Sequence, residues 1–130
     1  MVLPRSCKEF MMWNHLAFVY EIYLAITLKN YILALLGIST TALSILYHRT
    51  HEQYWQPHEK ISIYISEVYI LSNSWFKCSR YYFGTIIALS LLIAFWHRYS
   101  YMYGKNHYEL CHPWLHLLPP LMTHIYQVKC

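Results

Sequence analysis

The chain has 130 residues, of which 57% are hydrophobic and only 12% charged, about half the charged share of a soluble domain. That length holds a single domain, 1–130, and so few charges cannot cover a surface facing water, which leaves lipid as the expected solvent. The net charge of +4 comes from scattered Lys and Arg with no run that could track phosphates, so no nucleic-acid partner is expected.

Five hydrophobic segments follow one another along the chain: 11–28, 31–47, 61–76, 81–96 and 110–128. Each is near the ~17–25 residues that a membrane-spanning helix needs. The expected fold is therefore all-α, a multi-pass transmembrane bundle of about five helices. The 14 Tyr and 5 Trp suit aromatic belts at the membrane–water boundary. No cleavable leader is evident, so the first segment is expected to stay as an anchor.

The links are short. Lys29-Asn30 is a tight turn, 48–60 is the most polar connection, 76–80 is another brief one, and 97–109 turns at Gly104. Pro119-Pro120 should interrupt the fifth segment just past its histidines, because neither ring nitrogen can donate a hydrogen bond. Cys7, Cys78, Cys111 and Cys130 show no C-x-x-C pairing and read as small buried thiols rather than a disulfide framework.

Counting crossings brings distant residues together. If the second helix ends at His48 on one face, the third leaves that face, the fourth returns, and the fifth starts beside His48 with His112 and His116. His112 and His116 are four apart, so both imidazoles share one helix face; Ser44 and His48 bear the same relation. Three His with an open fourth position is a catalytic zinc arrangement rather than a closed structural one. Zinc so held would lower the pKa of a bound water towards ~7 and polarise a carbonyl, and Ser44 could hydrogen-bond a developing oxyanion. An H-x-x-x-H pair alone is also compatible with interfacial histidines of no catalytic role.

The stretch YILALLGISTTALSILYHRTHEQYWQPHE at 31–59 resembles the second-helix region of the alkaline ceramidases. These belong to a superfamily of membrane hydrolases that includes the adiponectin receptors. Its marks are S-x-x-x-H late in one helix, here Ser44 and His48, and H-x-x-x-H early in the last, here His112 and His116. Ceramidases also carry Thr two residues after that first histidine, Gln eight after and Asp eleven after; this chain has Thr50, Gln56 and, at the Asp position, Glu59. The likeness covers roughly 31–70 and 109–120.

The resemblance implies Zn2+ on His48, His112 and His116, with Ser44 and Glu59 as catalytic groups and a ceramide-like membrane lipid as substrate. It also implies a home in the endoplasmic reticulum or Golgi membrane. The chain departs from the family in three ways. Seven helices are reduced to about five, a loss of one pair that preserves sidedness and should leave a lipid cavity smaller or open sideways. Glu replaces Asp at 59. The N-terminal W-C-E cluster is absent, and SCKEF supplies no calcium site.

Three functions are expected to compete: a zinc-dependent lipid amidase, a catalytically inactive membrane-organising relative, and a bis-histidine haem protein. Other polar residues have blander readings. Glu59 could be a solvated helix start, His51 and His58 surface groups, Glu21 and Glu67 partners of Tyr hydroxyls or of a substrate cavity, and His15, His97, His107 and His124 interfacial or structural. The face bearing the N-terminus and the His-rich links carries six Lys/Arg against four on the other, which points the site towards the cytosol.

Overall fold

Long runs of Leu, Ile, Ala and Tyr broken only by short polar links favour helices, and in the computed structural model every one of those runs is helical. The structure describes residues 3–50 and 54–130, with side chains for 14–49 and 54–130. Helices α1 (Leu3–Thr27), α2 (Tyr31–Thr50), α3 (Trp55–Lys77) and α4 (Arg80–Ser100) are long, and α5 (Lys105–Leu115) and α6 (Leu118–Lys129) are short. No strand occurs among the described residues. The long helices have 20 to 25 residues, or about 30–38 Å at ~1.5 Å per residue.

The expected fifth segment is thus two helices, and the break has a cause. Pro119 and Pro120 carry no N–H, and their rings crowd the carbonyls four residues back. Those carbonyls belong to Leu115 and His116, where α5 ends; the chain turns through His116-Leu117 and restarts as α6. The interruption falls at His116 itself rather than beyond it.

Elsewhere the turns follow local chemistry. Lys29 takes a left-handed φ of 59°, and Asn30 N returns to Ala25 O at 2.8 Å, closing the end of α1. Asn30 Oδ1 then caps α2 by accepting from Leu33 N at 3.2 Å, and Tyr69 Oη donates to the same oxygen at 3.1 Å, which ties α3 to the turn. Gly104 has φ 87° and starts α5, the left-handed conformation for which glycine is suited.

Neighbouring helices close a ring. α1 packs on α2, α2 on α3, α3 on α4, α4 on α5 and α6, and these two return to α1. Gly37 lets α2 approach α1 closely, since a Cβ there would lie 2.8 Å from Ile22 Cγ1.

The interior is divided along its axis. Ala25, Leu33, Ala34, Ile70, Ile86, Met122 and Tyr126 fill the half nearest the 28–30 turn. Asn14, His15, Thr40, Thr41, Ser44, His48, Glu59, Ser62, His112 and His116 are buried in the other half. The outside is the reverse, with Val19, Leu35, Ile65, Val68, Leu91 and Phe95 each at least half exposed. Among the described residues one helix, over Tyr31–Arg49, is long and apolar enough by itself to cross a membrane; the other long helices carry Lys, Arg or Glu near their ends.

One expectation about the cysteines is overturned. Cys78 and Cys130 form a disulfide. They are 52 residues apart in the chain, and only the closing of the ring brings the ends of α3 and α6 together, so no local spacing announced the pair. Cys111 remains a free thiol, and the side chain of Cys7 lies outside the described residues.

Candidate metal centre

His48 sits in the last turn of α2, and His112 and His116 end α5. The structure brings all three together, buried, with one ligand nitrogen from each within 4.8 Å of the others. Their ring centroids are 4.9 Å (His48–His116), 5.0 Å (His112–His116) and 5.5 Å (His48–His112) apart. The break after α5 matters here, because it ends the helix at the second histidine and leaves that ring to pack inward between α1 and α2.

The surroundings set up these rings as ligands. Ser100 Oγ donates its proton to His97 O at 2.8 Å, so towards His112 Nδ1, 3.4 Å away, it can only accept. That fixes the proton on Nδ1 and leaves the Nε2 lone pair for a metal. Tyr108 stacks on the same ring at 4.3 Å. His116 Nε2 is buried with no hydrogen-bond partner among the described residues. A buried polar atom left unsatisfied is costly, and an ion shared with His48 and His112 would satisfy it. Three imidazole nitrogens suit zinc among other divalent metals, so the residues present fit the group.

Ser44 and Glu59 join the cluster. Ser44 is buried one turn before His48, and its hydroxyl hydrogen-bonds the Glu59 carboxylate. Glu59 Oε1 lies 3.7 Å from His48 Nε2. The solvated helix-start reading of Glu59 is therefore corrected: its carboxylate is buried and turned to the histidines.

His15, expected from the sequence to be interfacial or structural, belongs to the cluster as well. Its Nε2 is 3.0 Å from Ser44 Oγ, and its ring is 5.4 Å from that of His116. Asn14, next to it, donates to Pro113 O at 2.6 Å and clamps α1 to α5. Extending the helix count to α1 places His15 at the same end of the bundle, since α1 also starts at the His48 end.

A cavity of about 240 Å³ opens from this cluster into the bundle, reaching Gln56, Glu67 and Met122. Tyr64 on α3 and Ala94 on α4 line it and are themselves exposed, which gives the cavity a side mouth between those helices.

The remaining candidates are placed apart. His58 is exposed and contacts Tyr54; His51 and the side chain of Thr50 lie outside the described residues. His97 is a cavity wall, with its ring 6.2 Å from that of His112. Among the described residues Glu21 meets neither a Tyr hydroxyl nor the cavity. It binds His124 Nδ1 at 3.0 Å and Gln127 Nε2 at 2.9 Å, joining α1 to α6. Compared with protein-family models, with curated proteins and with solved structures, the chain finds no match in any of the three.

Proposed function

We propose that this chain is a multi-pass membrane protein that holds zinc on His48, His112 and His116 and hydrolyses the amide of a ceramide-like lipid. The observation that carries the reading is the convergence of three buried imidazoles with a hydroxyl and a carboxylate at the head of a cavity.

Lipid as solvent is supported by three features. The outward faces of the long helices are apolar while the polar groups are inside, an arrangement that water would punish and a bilayer favours. The helices match the ~30 Å hydrocarbon thickness. The Lys and Arg residues fall in two bands, Arg5, Lys8, Arg49, Lys60, Arg98 and Lys105 towards one end and Lys29, Lys77, Arg80 and Lys129 towards the other.

Zinc, when bound, supplies a Lewis acid and an activated water. The chain's own groups do the rest. Ser44 donates a hydrogen bond to the oxygen of the amide carbonyl as it gains charge, with His15 fixing the hydroxyl from behind. Glu59 accepts the proton of the attacking water and returns it to the leaving nitrogen. A C–O bond forms, the C–N bond breaks, and a fatty acid and an amino lipid leave.

A haem reading is less well served by this geometry: three rings in mutual contact at about 5 Å leave no flat slot for a porphyrin between any two. Metal analysis of protein purified in detergent tests the proposal. We expect ~1 zinc per chain, lost in His112→Ala and His116→Ala, and fatty acid released from ceramide. Folded protein without zinc would overturn it, and zinc without release from any ceramide would select the inactive membrane-organising relative.

A further inference from the structure

Away from the metal centre, Glu21 is buried and Glu67 half-buried between helices, and they are treated differently. Glu21 has both oxygens engaged, one by His124 and one by Gln127. Glu67, on α3, accepts from Ser90 Oγ of α4 through Oε1, and among the described residues nothing donates to Oε2. Glu67 lines the cavity below the metal centre. An ionisable group in the middle of a helix read as spanning the membrane is expensive to keep there, and a carboxylate has capacity for several more donors than one serine.

The polar patch is wider than one residue. Thr40 of α2 and Ser66 of α3 line the same cavity and lie 3.3 Å apart through their hydroxyls. Above and below them the walls are Phe18, Ile63, Ile93, Leu115 and Met122. Glu67 follows Glu59 by eight residues, about 12 Å along α3. A tail entering from the metal centre therefore crosses apolar wall, meets a band of acceptors on α2 and α3, and continues into apolar wall.

We propose that Glu67, held by Ser90 and flanked by Ser66 and Thr40, is a subsite for a hydroxyl group carried on the substrate's hydrocarbon tail, about 12 Å from the bond that is cleaved. This rests on the hydrolase reading of the metal centre and names the lipid class it takes: one hydroxylated well along its chain. A neutral hydroxyl suits the place better than an ammonium, because it reaches the patch through apolar walls at far lower desolvation cost.

Binding of free fatty acids, the product class, to purified protein in nanodiscs separates the possibilities. The probes are stearic acid, stearic acid hydroxylated mid-chain, and stearic acid hydroxylated beside the carboxyl. Wild-type protein should prefer the mid-chain hydroxyl by about tenfold over the other two, the worth of one hydrogen bond to a charged acceptor. Glu67→Leu should erase the preference, and Glu67→Gln, which keeps the shape and guards against a folding failure, should lose most of it. Zinc and ceramide hydrolysis are measured on the same preparations. Both present with no tail preference would overturn the subsite and leave the hydrolase reading standing. A tail preference in protein that holds no zinc would overturn the hydrolase reading and leave the subsite.

Discussion

His15 Nε2 on α1 stands 3.0 Å from Ser44 Oγ on α2, and Ser44 in turn bonds Glu59 on α3, so one hydroxyl links three helices at the head of the cavity. Ser44 has a single proton. If that proton goes to the substrate's carbonyl oxygen, His15 is the donor to Ser44 and holds its oxygen in place. Removing the imidazole frees the hydroxyl to rotate. His15→Ala should keep zinc at the wild-type level while kcat on a ceramide falls roughly tenfold, and Ser44→Ala should fall by ~10²–10³, as for loss of one oxyanion donor. Zinc content that falls with His15→Ala would show that His15 is a ligand and not a positioning residue.

Glu59 is one methylene longer than the Asp of the alkaline ceramidases that the sequence resembles, and its carboxylate comes within 3.7 Å of His48 Nε2. Proton transfer by a placed carboxylate is worth ~10²–10⁴ in rate. Glu59→Gln keeps the shape and the link to Ser44 but cannot take a proton, so kcat should drop by that factor with the fold intact. Glu59→Asp should retain part of the activity. Equal activity in Glu59→Gln and wild type would remove Glu59 from the reaction.

Most of this site was legible in the sequence because it rests on two short-range facts and one long-range count. The i, i+4 pairs Ser44/His48 and His112/His116 put side chains on one helix face, and the two helices between them put both pairs at one end of the bundle. What escaped was set by tertiary contact. The helix count puts His15 at the Ser44 end of the bundle, but nothing in its neighbours says which way the ring faces. Cys78 and Cys130 meet only when α6 closes the ring, and Glu21 finds His124 and Gln127 across the same seam. The two-helix form of the last segment was half visible: Pro119-Pro120 required a break, but that it would fall at His116 depends on which carbonyls those rings crowd.

The three ligand nitrogens must be unprotonated to bind a metal, so protons and metal compete for the same lone pairs. Metal occupancy should be complete at neutral pH and above and should fall as the solution is acidified. His116→Ala should release the ion at neutral pH with the helices preserved by circular dichroism. Occupancy that stays flat on acidification would mean that some donor set other than these imidazoles holds the ion.

The Cys78–Cys130 disulfide joins the α3–α4 link to the end of α6, at the opposite end of the bundle from His48, His112 and His116. Disulfides persist on the oxidising side of a membrane and not in the reducing cytosol. On the proposal that the bundle spans a membrane, the disulfide end should therefore face the lumen or exterior, and the metal centre the cytosol. The nearly balanced charge count leans the same way, with six Lys/Arg at the histidine end and four at the other. In sealed membrane vesicles of cytosol-side-out orientation, a membrane-impermeant reductant followed by an impermeant maleimide should leave Cys78 and Cys130 unlabelled until detergent is added. Labelling before detergent would place that end in the cytosol and reverse the orientation. Cys130→Ser should lower stability by about 2–4 kcal/mol through the freed chain while zinc binding survives, because no ligand to the metal lies near that seam.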